Sequence, residues 1–171
     1  MGSPRIRPLE ETDLPGAAAA LVEVHATDGY PVEGVEQPEA WLWSDDVLAS
    51  WVAITDGGQV VGHVAVMSPK GEDAASLWTE QSGDSIENVA VLARLFVLKS
   101  ARERALGEEL ARTAMAHAQS RGLRLVLDVM TKDVAAIRLY ERLGWRKIGE
   151  TAHHYGDGQQ TSALCYVAPE R

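Results

Sequence analysis

Residues 94–110 read Arg-Leu-Phe-Val-Leu-Lys-Ser-Ala-Arg-Glu-Arg-Ala-Leu-Gly-Glu-Glu-Leu, an order of residue types that leaves few folds open. An apolar run with β-forming bias (Leu95, Phe96, Val97, Leu98) turns polar and basic, then opens into a helical pattern. The first N–H groups of such a helix have no intrahelical partner, and the helix dipole adds positive potential there. Small residues at Ala105 and Gly107 let a ligand approach the main chain, while Lys99, Arg102 and Arg104 surround the junction with positive charge. The segment reads as a pyrophosphate cradle, with Glu103, Glu108 and Glu109 directed away from it.

The rest of the chain supplies a framework for this unit. Residues 5–9 alternate like a short strand, with Pro8 marking an edge. Thr12 or Asp13 caps a following helix that tolerates Pro15 in its first turn. Leu14, Ala17 or Ala18, Leu21 and Val24 or His25 form its apolar face, and it ends near residues 28–31. Residues 32–38 read as an acidic surface loop, and 38–43 as the start of a second short helix. A β-hairpin over 51–55 and 59–67 turns on Asp56-Gly57-Gly58. Residues 70–84, polar and Gly-containing apart from Trp78, read as a loop with room for one helical turn, and 86–98 as the central strand. A helix over 105–121 carries Leu106, Leu110, Ala114 and Ala118 on one face, with Gly122 just past its end. A buried strand over 123–130 follows, then a helix capped by Asp133 and closed by Gly144. A last hairpin pairs 145–154 with 160–167 across Gly156-Asp157-Gly158.

Composition narrows the function classes. A chain of 171 residues with 46% hydrophobic residues is expected to form a single domain over 1–171. A formal net charge of -9 argues against non-specific nucleic-acid binding and favours neutral or cationic partners. The lone Cys165 excludes an intrachain disulfide and points to a reducing compartment. No basic start leads into an apolar stretch, and Ile6 stands where a myristoylation signal wants Ser or Thr. No run is long enough to span a bilayer, so the expectation is a soluble, cytoplasmic protein that engages no membrane.

Two stretches resemble motifs of the GCN5-related N-acetyltransferase (GNAT) family. Val97 to Gly107 is similar to its motif A, V-x-x-x-x-[QR]-x-x-G-x-[GA], with Ala105 in place of the first small Gly and Lys99 where Pro is common. Asp133-Val-Ala-Ala136-Ile137-Arg-Leu139-Tyr140-Glu141-Arg-Leu143-Gly144-Trp145 resembles motif B, N-x-x-A-I-x-L-Y-E-x-L-G-F, with Asp for Asn and Trp for Phe. Two motifs in order, one helix and one strand apart, are far more specific than either alone. The resemblance implies an α/β fold built on a mixed, mostly antiparallel seven-stranded sheet flanked by helices. Its central strands, here 86–98 and 123–130, are implied to splay around a pantetheine arm.

The same resemblance implies roles for individual residues. The acetyl-CoA site would comprise Phe96, Val97, Arg102, Glu103, Arg104, Ala105, Leu106, Gly107 and Glu108. The first two act through their backbone, pairing with the pantetheine amides and facing the thioester carbonyl as charge develops on its oxygen. Tyr140 would protonate the departing thiolate, since a phenol stays protonated at neutral pH. Asp133, which can only accept where the family Asn also donates, is explained by helix capping. Related enzymes often carry a Glu on the strand before motif A as general base; here that strand offers only Glu87 at its start, and loss of the proton to water is the alternative. Acceptor-pocket candidates are His25, Asp28, Tyr30, Glu33, Trp41, Trp43, His153, His154 and Tyr155. His153 and His154 point to opposite faces of a strand, so with Cys165 they make no zinc site, and no metal is expected.

The reading that follows is an acetyl-CoA-dependent N-acetyltransferase acting on a primary amine of a small molecule in a ternary complex. Transfer to protein N-termini or of longer acyl groups, and a silent acyl-CoA-binding module, are the alternatives. A homodimer is expected by analogy with relatives that pair through their C-terminal strands.

Overall fold

Seven strands hydrogen-bond into one sheet in the order β1-β2-β3-β4-β5-β7-β6. The computed structural model describes residues 4–30, 36–155 and 158–170, with only the backbone described at 103–104, 153–155 and 159. The strands are β1 (Arg5–Pro8), β2 (Val47–Ile54), β3 (Val60–Met67), β4 (Val89–Val97), β5 (Arg124–Met130), β6 (Arg146–Tyr155) and β7 (Gln159–Val167). The helices are α1 (Leu14–Asp28), α2 (Pro38–Leu42), α3 (Asp73–Ser82), α4 (Leu106–Ser120) and α5 (Val134–Arg142). β4 and β5 run parallel, whereas β1–β2, β5–β7 and β6–β7 are antiparallel, as the expected mixed sheet requires. The β4–β5 ladder covers Val89↔Arg124, Ala90↔Leu125 and Val91↔Val126, and both strands run on beyond it.

The chain forms two compact units. The first comprises Met1–Val66 and Ala93–Ala114. β3 is buried along its whole length, so its Val-Val-Gly-His-Val-Ala-Val-Met sequence does not alternate. Leu14, Ala17, Leu21 and Val24 of α1 are buried, as their helical spacing requires. Gly29 closes α1 at φ 71, its N–H donating to the His25 carbonyl at 2.9 Å. Asp13 stands at the N-cap position of α1 but does not cap it. Its carboxylate turns back to accept from the Glu10 N–H at 2.8 Å and from both Arg7 terminal nitrogens at 2.8 and 2.9 Å.

The second unit comprises Met67–Leu92 and Met115–Arg171. It holds a correction: the stretch read as a loop with at most one helical turn forms the 10-residue helix α3, with Ala74, Ala75 and Trp78 buried and Gly83 ending it at φ 79. The helix was hidden because its exposed face is polar and its apolar face is short, two alanines with Leu77 and Trp78. A second correction falls on the central strand. Ile86–Asn88 is a 3₁₀ turn in which Ser85 Oγ accepts from the Glu87 N–H at 3.3 Å, and β4 begins at Val89. A third concerns Asp133. It is the N-cap residue of α5, yet its side chain accepts no capping hydrogen bond; its backbone carbonyl accepts from Ile137 N at 3.1 Å. α5 buries Leu139 and Tyr140, and Leu143 and Trp145 just beyond it are buried too.

Candidate active site

The strand–turn–helix unit is built as the sequence suggests, with one added detail at its hinge. β4 ends at Val97, Lys99–Arg104 coil into a 3₁₀ turn, and Ala105 takes the left-handed conformation at φ 56 before α4 opens at Leu106. That φ explains why Gly is usual in this position of motif A, since a Cβ makes the conformation cost about 1 kcal/mol. The Ala105 carbonyl accepts from Glu109 N at 3.2 Å. The N–H groups of Leu106, Gly107 and Glu108 therefore have no carbonyl one turn back within α4 and form its positive end. Leu106 is buried and anchors the helix start, while Gly107 and Glu108 are half-buried. One Glu108 oxygen accepts from Arg112 Nε at 3.2 Å, one turn along the helix and away from its start.

Arg102 behaves differently from a mobile phosphate-seeking charge. Its Nε donates to the Val97 carbonyl at 3.1 Å, and its guanidinium pairs with the Asp28 carboxylate at the end of α1. It thus ties the end of β4 to α1 and holds the 3₁₀ turn in place. The side chains of Glu103 and Arg104 lie outside the described residues. Phe96 is buried and stacks on the His63 ring, with centroids 5.4 Å apart and planes 18° apart. Leu98 N donates to the Val61 carbonyl at 2.9 Å, and a Cβ at Gly62 would stand 3.3 Å from the Phe96 carbonyl. Gly62 is therefore what allows β3 to lie so close behind the end of β4.

Several acceptor candidates meet in this unit. Tyr30 packs edge-on to Trp41 with centroids 6.1 Å apart, and the Arg94 guanidinium lies 4.6 Å above the Trp41 ring. Arg94 also donates to the Trp41 carbonyl and, at 3.2 Å, to Ser44 Oγ. Trp43 is half exposed, and His25 is half-buried. Asp28 is occupied by Arg102. Glu33 lies outside the described residues, as do the side chains of His153, His154 and Tyr155. Among the described residues, no three His, Cys, Asp or Glu side chains converge as a metal site would need. No helix among them is long and apolar enough to cross a membrane.

In the second unit, Tyr140 is 5% exposed and packs against Trp145 with centroids 5.5 Å apart. Burial, reinforced by the nearby Asp133 charge, pushes its phenol well above the usual tyrosine range, so it holds its proton firmly. Glu87 is exposed on the turn before β4, whereas the Lys99–Arg104 turn and α4 follow the other end of that strand. Sequence reading passed over Asp128, a half-buried carboxylate on β5. Burial raises its pKa, opposed by the Ala74 N–H donated at 2.9 Å and the Cys165 thiol at 3.6 Å. A charged residue inside the apolar run Leu-Val-Leu-Asp-Val-Met was the signal that could have flagged it.

A family model for the acetyltransferase (GNAT) family matches residues 18–145. No curated protein matches the chain. Among solved structures, the ribosomal-protein-S18-alanine N-acetyltransferase of Escherichia coli superposes with TM-score 0.71 at 22% identity, over 96% of this chain and 92% of that one. Arabidopsis thaliana NAA60, solved with acetyl-CoA, gives TM-score 0.72 at 20% identity, over 95% and 96%. A protein assigned as a phosphinothricin N-acetyltransferase gives 0.71 at 17%, over 97% and 98%. At these identities the structural likeness speaks for the fold alone, and the family model, which spans most of the chain, speaks for descent: the protein belongs to the acetyltransferase (GNAT) family.

Proposed function

We propose that this chain, acting as one domain, transfers an acetyl group from acetyl-CoA to a primary amine of a small molecule by direct attack in a ternary complex. The observation that carries the reading is the left-handed Ala105 followed by the open start of α4, directly after the end of β4. The donor set suits a diphosphate: main-chain N–H groups at a helix N-terminus, with Gly107 leaving room for close approach. In this scheme those groups orient the coenzyme, and the backbone at Phe96 and Val97 aligns the thioester. The amine nitrogen bonds to the thioester carbon, the carbon–sulfur bond breaks, and the Tyr140 hydroxyl gives its proton to the departing sulfur. Strong burial keeps that hydroxyl protonated at neutral pH, so it enters the reaction as a donor. Glu87 is exposed, so any proton it takes from the ammonium exchanges with bulk water.

The described carboxylates also support a second reading. Glu87 is exposed on a turn, and Asp128 is committed to the Ala74 N–H and the Cys165 thiol. A module that binds acyl-CoA without turning it over would need no base at all. Calorimetric titration with acetyl-CoA, followed by free-thiol release across small amines, peptides with free N-termini and longer acyl-CoAs, separates these cases. Release with a small amine supports the proposal, and release only with peptides moves the acceptor to protein N-termini. Affinity without release under any condition establishes the silent binder, and no uptake of acetyl-CoA sinks both readings.

A further inference from the structure

β4 carries an anomaly that the cradle does not explain. Arg94 adopts φ 58, a left-handed conformation that side-chain-bearing residues avoid at a cost of about 1–2 kcal/mol. Such a conformation persists only where its surroundings hold it, and here the holds can be named. On the side-chain end, Arg94 donates to the Trp41 carbonyl and to Ser44 Oγ and lies over the Trp41 ring. On the main-chain end, the Arg94 carbonyl lies 2.8 Å from His63 Nδ1. A carbonyl can only accept, so Nδ1 carries the hydrogen and the neutral ring keeps its lone pair on Nε2.

His63 is the one fully buried polar side chain among the described residues, in a strand otherwise made of Val, Gly, Ala and Met. Nε2 has no protein partner, so the ring keeps only half of its hydrogen-bonding capacity satisfied. An apolar residue of similar size would avoid that cost, which implies that the donor has a use. The ring also stacks on Phe96, two residues beyond the kink. One side chain therefore touches both the kinked residue and the strand end.

We infer that His63 is a positioning residue for acyl transfer: its Nδ1–H holds the Arg94 carbonyl and so fixes the kink that aims the Phe96–Val97 backbone and the Arg94 guanidinium. The inference rests on the reading that the end of β4 aligns the thioester. His63 itself is no acid or base, because burial keeps the ring neutral, its pKa pushed down to about 4.

The test uses three variants of the full chain. His63→Asn keeps a donor near the Nδ1 position, His63→Gln moves the amide toward the Nε2 position, and His63→Leu removes the donor. Each is assayed for kcat, for the KM of the amine, and for acetyl-CoA affinity by calorimetry, at matched folded fraction from thermal melts. Expected are kcat values about 10- to 100-fold below the wild type for the Leu and Gln forms, an acetyl-CoA affinity nearly unchanged because the cradle is intact, and recovery in the Asn form. Should the Leu form fail to fold, the contrast between Asn and Gln decides. Wild-type kcat in the Gln form, or an Asn form as slow as Gln, overturns the inference while leaving the reading of the site standing. Failure of the wild type to take up acetyl-CoA removes that reading and this inference together.

Discussion

Tyr140 and His63 are both buried ionisable groups, and in each case burial selects the neutral form. For Tyr140 the neutral form is the one that can donate. Replacing it by Phe keeps the ring against Trp145 and removes only the hydroxyl, so turnover is expected to fall about 100-fold while acetyl-CoA affinity holds. Equal turnover at saturating substrate would reduce Tyr140 to packing. For His63 the consequence is a pH-dependent stability. Its folded-state pKa is about 4 against the usual 6.5, so between those values the unfolded chain binds a proton that the folded chain refuses. The contribution is complete above pH 6.5 and shrinks as pH falls toward 4. Urea midpoints at pH 7 and pH 4.5 should show the wild type losing about 2.5 kcal/mol more than His63→Asn, which has no such proton to refuse. Arg94 is the charged neighbour that adds to the depression, and it is unchanged in both proteins.

At the level of elements, α3 shows how a helix can depend on a distant strand. Its first turn is acidic, which suits the helix dipole, but the Ala74 N–H is satisfied by Asp128 of β5, not by a local cap. Asp128 gives that oxygen at a cost, since burial disfavours its charge. Asp128→Ala should therefore lower stability by about 1 kcal/mol at pH 7, whereas Asp128→Asn, keeping an acceptor oxygen and shedding the buried charge, should be at least as stable as the wild type. Urea unfolding of the two variants checks this. Equal losses in both would mean that α3 needs the charge itself. The motif A unit shows the reverse dependence: β4, the turn and α4 are contiguous, and Arg102 joins only the end of β4 to the last residue of α1.

Across the whole molecule, β4 and α4 each run from one compact unit into the other, so neither unit owns a complete set of elements. The proposal of one domain then carries a measurable consequence. Urea transitions followed by tryptophan fluorescence, which samples Trp41, Trp43 and Trp51 in one unit and Trp78 and Trp145 in the other, should coincide with those followed by far-ultraviolet circular dichroism. Two resolved midpoints would mean that the units fold separately.

What the chain determined by itself were the features carried by neighbours in sequence. The face of α4 through Leu106, Leu110, Ala114 and Ala118 is buried as its spacing demanded. The Asp56-Gly57-Gly58 turn closes its hairpin with Gly58 at φ 87, and the motif A order of strand, turn and helix is realised. Tertiary structure alone decided the pairings that cross long stretches of chain. His63 meets Arg94 across 31 positions, Ala74 meets Asp128 across 54, and Asp28 meets Arg102 across 74. Periodicity records which side of an element is apolar, because that pattern repeats within one or two turns of chain. Which polar atom lies opposite a given carbonyl depends on strand order and register, and neither is written at either position alone.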